Sequence, residues 1–424
     1  MTDIAECDGD QPSAPARLPV ELIRLIIQNL VLDRPALQAC AITCHTWSEL
    51  CREILFHTVH LDLKEKREDI HIPFISNIDP IAARLETYLQ FYSSTPAVVR
   101  HVRAIVLKYS PTCNRIFKPK ELRAVMSVFP RLLNLELPNC EFVVGDDISP
   151  PFIHELEGLS LQFATFDSTQ SLLDFLAQFS GLRRLSLNYV EIRSSPLNDQ
   201  HTFHHFPREP VWHITHLDTM SYVSEAILKM VRGLSALDTL CSLRHIPRKG
   251  DLEPLQDLLN EAGRYLSHLE VDYGMIGEDW TGKFRDSPSL MSIADPFVGQ
   301  LDLSPCGALQ TLNLGIPPRQ LGTRLAHFVD ILSQSAPASL REITFNVVFE
   351  EEHAQCDSAW PILDELLTGG RFPHLKVFML REQWINGLID PQQIEQKLPL
   401  ACRKRIVYGK YVGRDRFVVG AIFA

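Results

Sequence analysis

The sequence predicts an α/β solenoid, with a parallel sheet on one side and helices on the other, preceded by a small N-terminal helical module. Three observations support this prediction. A Leu-x-x-Leu-x-Leu motif recurs along most of the chain, apolar stripes of helical period precede several copies, and residues 17–57 hold three short helical stripes. Units of helix, turn and strand that repeat in one phase stack side by side into an elongated body.

The clearest copy of the motif consists of Leu132, Leu135 and Leu137, followed by Cys140. Copies in the same phase start at Leu156, Leu182 and Leu309, looser copies at Leu266, Leu340 and Leu375, and degraded copies at Ile214 and Leu237. The first steps, from Leu132 to Leu156 and on to Leu182, are 24 and 26 residues long. Steps of ~20–29 residues are typical of leucine-rich repeats. Because the later steps are longer and uneven, the chain resembles the irregular leucine-rich repeats found in many fungal and other eukaryotic proteins.

Apolar residues spaced i, i+3, i+4, i+7 predict the helices of these units. The stripes are Leu122, Val125, Met126 and Phe129, then Leu172, Phe175, Leu176 and Phe179, then Leu325, Phe328, Val329 and Leu332. The leucines of each motif should face these helices. Residues that alternate with them along a strand should face the opposite side of the sheet.

The N-terminal stripes predict three helices with apolar faces. Leu22, Ile26 and Leu30 form the first face, and Pro19 suits a first helical turn. Asp33 is expected to cap the second helix. A module of about forty residues cannot bury such apolar surface alone. It should therefore need a partner or the body of the protein.

Both ends of this module resemble the F-box family. Its segments read LPVELIRLIIQNL and ALQACAITCHTWSELC, so the family opening Leu-Pro-x-Glu falls on Leu18 to Glu21 and the ending Cys-x-x-Trp on Cys44 to Trp47. Pro35 departs from the Asp-Leu pair that the family often has in between. The match covers roughly a tenth of the chain. The resemblance implies docking on the Skp-type adaptor of a cullin–RING ubiquitin ligase, with the repeats holding a protein substrate.

The predicted organisation has four parts: a disordered tail at 1–16, the F-box at 17–57, a connecting segment at 58–97 and the irregular repeats at 98–424. The resemblance implies that the adaptor contacts a set of mostly apolar residues spread over the three predicted helices of the module. These are Leu18, Pro19, Glu21, Leu22, Ile26, Leu30, Leu37 and Trp47.

The outward residues of the clearest repeats form a predicted polar strip across the concave face, which would bind the substrate. The strip consists of Asn134, Glu136, Arg184, Ser186, Thr311, Asn313, Glu342 and Thr344. The inserted loops 190–213 and 274–300 are the rival recognition site, because long loops often carry binding residues. A merely solvated face is the third interpretation.

Several patterns resemble catalytic or metal sites without meeting their requirements. The Gly277–Lys283 segment has the spacing of a phosphate-binding loop, but Phe284 stands where Ser or Thr must hold magnesium. The histidines between His201 and His216 lie among prolines and are expected in a loop, and Cys40, Cys44, His45 and Cys51 fit helix packing better than zinc. No Gly-x-Ser-x-Gly or His-Glu-x-x-His motif occurs. A Ser/His/Asp triad assembled from scattered residues stays open.

The net charge of −11 gives no general phosphate-binding surface. The basic Arg403–Arg405 group is expected to flank a strand. No secretory signal or membrane-length apolar run is visible, and the ten cysteines are irregularly spaced, so we expect reduced thiols in the cytoplasm or nucleus. We therefore predict a non-enzymatic, cofactor-free substrate-recognition subunit of a Skp–cullin–F-box ligase, with no nucleic-acid or membrane partner. An adaptor-bound scaffold that recruits nothing for degradation is the alternative, and a hydrolase comes third.

Overall fold

The structure is a computed structural model. It describes residues 18–63, 80–108, 115–116, 119–142, 154–193, 212–220, 224–247, 252–272, 301–315, 321–347, 359–382, 391–411 and 420–422. The predicted tail 1–16, the segment 277–284, the whole of loop 274–300 and most of loop 190–213 lie outside these residues.

Three helices form the N-terminal module, as the apolar stripes predict. They are α1 (Val20–Asn29), α2 (Arg34–Ala41) and α3 (His45–Leu55). The Asp33 carboxylate caps α2 by accepting a hydrogen bond from the Ala36 amide at 3.0 Å. This bond satisfies one of the amides that a helix start leaves without a partner. The module packs around a small core of its own, which includes Ile23, Ile27 and Cys51 and is separate from the main core.

A 13-stranded sheet forms the body of the described chain. Its strands are β1 (Thr58–Asp62), β2 (Ala104–Lys108), β4 (Asn134–Pro138), β7 (Gly158–Gln162), β10 (Arg184–Asn188), β12 (His216–Met220), β13 (Ser242–His245), β14 (His268–Asp272), β15 (Thr311–Gly315), β16 (Glu342–Val347), β17 (Val377–Glu382), β18 (Val407–Tyr411) and β19 (Gly420–Ile422). Adjacent strands in this order are parallel up to β18. The last strand, β19, pairs antiparallel with β18.

The leucine motif fixes the register of this sheet. Leu135, Leu159 and Leu185 are aligned with one another on neighbouring strands, and Leu269 is aligned with Leu312 further along. The central motif residues Leu135, Leu185 and Leu312 are only 2%, 1% and 0% exposed. Their predicted inward orientation is confirmed, because both periodicity and burial place them on the helix side of the sheet.

Helices of the body include the three predicted stripes, except for Phe129 and Phe179, which lie beyond the ends of their helices. The helices are α4 (Pro80–Ser93), α5 (Pro96–Val99), α6 (Pro119–Val128), α7 (Thr169–Leu176), α8 (Ser224–Leu234), α9 (Leu252–Ala262), α10 (Leu321–Gln334), α11 (Ala359–Thr368), α12 (Pro391–Lys397) and α13 (Pro399–Arg403). The stripe residues on α6, α7 and α10 are buried in one core with the motif leucines.

Two details of the structure differ from the sequence interpretation. The segment 58–97, predicted as a connection, contains β1, the first strand of the sheet, which pairs with β2. The degraded copy assigned to Leu237 starts three residues later, since Leu237–Thr239 is a short 3-10 turn and Leu240 and Leu243 are the buried residues. Leucine at the wrong phase misled the assignment, and valine or isoleucine in place of leucine concealed β1 and β2.

A buried polar pair replaces the third motif leucine in two neighbouring strands. Thr219 on β12 and His245 on β13 are aligned, and Thr219 Oγ1 lies 2.7 Å from His245 Nδ1 in a hydrogen bond. Burial lowers the pKa of His245 to about 3, so the ring is neutral at physiological pH. The pair keeps the sheet register, and its hydrogen bond gives both Thr219 Oγ1 and His245 Nδ1 a polar partner inside the core.

A second parallel sheet lies beside the first at four of the early repeats. Its strands are β3 (Arg115–Ile116), β5 (Cys140–Phe142), β8 (Thr165–Phe166) and β11 (Glu191–Ile192). Two further strands, β6 (His154–Glu155) and β9 (Phe179–Ser180), pair with each other. The chain turns from the main sheet into β5, β8 and β11 through Asn139, Phe163 and Tyr189, all of which have positive φ.

The module joins the solenoid without a long linker. Helix α3 ends at Leu55 and β1 begins at Thr58. The His57 carbonyl between them accepts hydrogen bonds from the backbone amides of Arg103 and Ala104, both at 2.9 Å.

A side-chain ion pair ties the same junction together. Glu49 on α3 pairs with the Arg100 guanidinium and lies 3.7 Å from His101 Nε2. Backbone and side-chain contacts therefore both hold the module against the first strands.

Candidate protein-interaction surfaces

The first surface is the apolar face of α1. Leu22 and Ile26 are 47% and 41% exposed, whereas Ile23 and Ile27 on the other face are buried. Leu18 and Leu25 are also exposed. A run of exposed aliphatic residues one turn apart is the kind of patch that marks a protein contact.

The predicted adaptor-binding residues divide into three groups. Leu18, Pro19, Glu21, Leu22 and Ile26 are exposed, and Leu30 and Trp47 are half-buried against the core of the module. Leu37, which was predicted to contact the adaptor, is only 1% exposed and belongs to that core. It is buried because α2 packs this face against α1 and α3.

Sequence reasoning missed five exposed apolar residues of the module, which are Val20, Leu25, Val31, Leu32 and Ile42. Leu25 follows Leu22 by one helical turn, and Leu32 and Ile42 lie just after α1 and α2, at 99% and 87% exposure. Counting only the i, i+4 positions of one stripe overlooked Leu25, although its i+3 spacing carried the signal.

The second surface is the open face of the main sheet, defined as the side opposite the motif leucines. The predicted strip lies on it: Asn134, Glu136, Ser186, Thr311, Asn313 and Glu342 are half-buried and Arg184 is exposed. Thr344 differs from the prediction that it belongs to an accessible strip. It is buried, because its short side chain lies between the longer Asn313 and Met379 side chains of the adjacent strands.

A glycine allows two strip residues to meet across an intervening strand. Arg184 Nη2 on β10 donates to Asn134 Oδ1 on β4 at 2.8 Å, and Gly158 of β7 lies between them. A Cβ added at Gly158 would lie 2.3 Å from Asn134 Oδ1. The absence of a side chain at Gly158 therefore makes room for this bond.

This geometry gives a testable prediction. Gly158→Ala removes the conformational cost of glycine in a strand, about 0.5–1 kcal/mol, but displaces the Asn134 side chain. We expect the substitution to raise the free energy of unfolding by about that amount in an Asn134→Ala background, and to give no such gain in the wild type. Urea denaturation of the four proteins checks this. Equal effects in both backgrounds would show that the bond does not depend on the glycine.

A charged row runs along the middle of the open face, and sequence reasoning missed its centre. Asp218, Arg244 and Glu270 are aligned on β12, β13 and β14. Arg244 Nε lies 3.0 Å from Glu270 Oε1, and Arg244 Nη1 lies 3.8 Å from Asp218 Oδ2. Burial raises the pKa of the Asp218 carboxyl, against the lowering effect of Arg244. The degraded motifs of β12 and β13 concealed these residues, although the alternation with Leu217 and Leu243 carried the signal.

Other predicted sites are partly covered by the structure. Among the described residues, no group of three or more His, Cys, Asp or Glu side chains is arranged to hold a metal ion. Cys51 is buried, Cys40 half-buried and Cys44 exposed, while His213 and His216 are exposed. Arg403–Arg405 precedes β18 and is exposed. No helix in the described part of the chain is both long and apolar enough to cross a membrane.

The repeated register and the two faces make the body a mixed α/β solenoid, with a long parallel sheet on one side and helices on the other. This architecture resembles that of leucine-rich-repeat proteins. No family model matches the chain, and no curated protein matches it. Among solved structures, an internalin from Listeria monocytogenes is similar at 11% identity and a TM-score of 0.29, over 88% of this chain and 95% of that chain. At this similarity the function has to be argued from the surfaces themselves.

Proposed function

We propose that the chain is a non-catalytic substrate receptor, which binds a Skp-type adaptor through α1–α3 and a target protein through the open face of its repeats. The observation that carries the proposal is the exposed apolar face of α1 on a module with its own core. A stable protein would not gain from exposing these aliphatic side chains unless a partner covers them. The resemblance of both ends of the module to the F-box family supports a Skp-type adaptor as this partner.

The attachment of the module supports the same proposal. A receptor in a ubiquitin ligase acts by raising the effective concentration of its target near the transfer site. The short junction at His57 and the Glu49 ion pair hold the module and the first strands together. A target on the open face would thereby be kept at a defined position relative to the adaptor.

The alternative is an adaptor-bound scaffold that recruits nothing for degradation. Affinity purification of the full tagged chain from eukaryotic cells separates the two. We expect both a Skp-type adaptor and a cullin to co-purify, because the adaptor links the two in such ligases. Adaptor without cullin would favour the scaffold, and the absence of both would refute the proposal. Proteins that accumulate only when the module is disabled are the candidate targets.

A further inference from the structure

Two aromatic residues occupy a corner where the backbone conformation disfavours them. Phe163 and Tyr189 have φ of 53° and 56°, and their rings stack with centroids 4.8 Å apart. A left-handed conformation is unfavourable for a residue other than glycine, because its Cβ crowds the backbone. Stacking of the two rings stabilises the pair but does not remove this backbone strain.

The preceding corner shows that an aromatic residue is not required there. Asn139 takes the equivalent position with φ 53°, and asparagine tolerates this conformation better. Phe163 remains 51% exposed despite the stack. An exposed aromatic ring at such a position is therefore a candidate contact for a partner, because aromatic side chains are frequent anchors of protein interfaces.

Carboxylates outnumber basic side chains in the charged row, which extends along the same register to Glu136 on β4. Glu136, Asp218 and Glu270 lie in the same row as Arg244, which is shared between the last two. Ser186 Oγ donates to Asp218 Oδ2 at 3.4 Å, which adds a weak hydrogen bond but no charge. An additional cation would complete the pairing of these carboxylates.

Several hydrogen-bond acceptors in the same region have no donor among the described residues. Asn188 Nδ2 donates to Ser186 Oγ at 3.0 Å, and Asn313 Nδ2 donates to Glu270 Oε2 at 3.3 Å, which fixes the orientation of both amides. The buried Oδ1 atoms of Asn188, Asp218 and Asn313 have no donor among the described residues, and Arg244 Nε, although 3.0 Å from Glu270 Oε1, forms no well-directed hydrogen bond there. A ligand suited to this face must therefore bring hydrogen-bond donors.

The aromatic corner and the polar face are continuous along the chain. Phe163 directly follows Gln162, which donates to Glu136 at 3.2 Å, and Tyr189 directly follows Asn188. We propose that the open face from β4 to β15 binds a protein segment that places an arginine or lysine side chain on the carboxylate row and an apolar part against Phe163 and Tyr189. This inference rests on the proposed function and names the chemistry of the target.

Peptide pools provide the test. The full chain would be incubated with immobilised nonapeptide pools that carry arginine, lysine, citrulline or glutamate at a fixed central position within otherwise equal mixtures. We expect at least tenfold more binding to the arginine or lysine pools than to the citrulline and glutamate pools. The double substitution Asp218→Asn with Glu270→Gln should remove this preference. The matched control, Glu253→Gln with Glu395→Gln, neutralises two exposed helix carboxylates and should keep it.

A second variant separates binding from folding. Phe163→Asn places at this corner the residue found at the preceding one, so the melting temperature should stay equal or rise while peptide binding falls at least tenfold. A fall in melting temperature with binding intact would make the ring structural and overturn the inference. So would binding to no pool, preference for the glutamate or citrulline pool, or a preference that survives the double substitution. Co-purification of the adaptor, measured on the same preparations, tests the proposed function separately.

Discussion

Replacing both Leu22 and Ile26 with aspartate is expected to abolish capture of the Skp-type adaptor. Both side chains are exposed in the free protein, so the charges are hydrated and the module should still fold. In the complex, an interface of ~800 Å² per partner would cover them. Removing an unpaired carboxylate from water costs several kcal/mol, and two would reduce affinity beyond detection. Pull-down of the purified adaptor checks this.

The control for this prediction is Ile362→Asp. Ile362 is an exposed aliphatic residue on α11, outside the module, and its substitution should leave capture unchanged. Circular dichroism of each variant verifies folding. Adaptor capture that survives the double change would contradict the F-box assignment, because both charges lie on the exposed apolar face of α1 that the proposal assigns to the adaptor.

Truncation of the motif leucines should produce the largest loss of stability. Leu135→Ala, Leu185→Ala and Leu312→Ala each remove a buried side chain and leave a cavity beside the helices. Each change is expected to lower the free energy of unfolding by ~2–5 kcal/mol. Thermal melts and urea denaturation measure this loss.

Leu32→Ala is the matched control, because Leu32 is almost fully exposed. Its effect should stay within about 0.5 kcal/mol, as for most surface substitutions. Unchanged melts for all three motif variants would be incompatible with the register of the sheet. A loss for Leu32→Ala as large as theirs would show that burial is not the cause.

The strands that the sequence predicts correctly share one property. Where leucine opens the motif and large apolar residues fill the other two positions, as at Leu182, Leu185 and Leu187, the period of two and the preceding helix leave one register. The motif did not identify strands in which another residue type occupies a leucine position while the spacing of the buried positions is kept. Val102, Ile105 and Leu107 keep the spacing with fewer leucines, and His245 is polar at a core position.

The candidate sites were predictable to a lesser extent. Alternation along the strands correctly placed Glu136 and Arg184 on the open face, because strand geometry alone determines the side. It did not reveal the Arg184–Asn134 bond, which joins residues fifty positions apart. The contact depends on which strands become neighbours and on Gly158 between them. Pairing across a sheet is a property of the assembled fold, and a local pattern does not encode it.

The stacking of the strands makes position along the sheet equivalent to distance from the module. Five strand steps separate β1 from β12, and at about 4.8 Å per step they span about 24 Å. Each repeat contacts only its neighbours, so inserting or deleting one unit shifts every later contact by a constant increment without rebuilding the earlier ones. The distance between the N-terminal module and a site on the sheet can therefore be changed in steps of whole repeats, while both ends of the protein are kept.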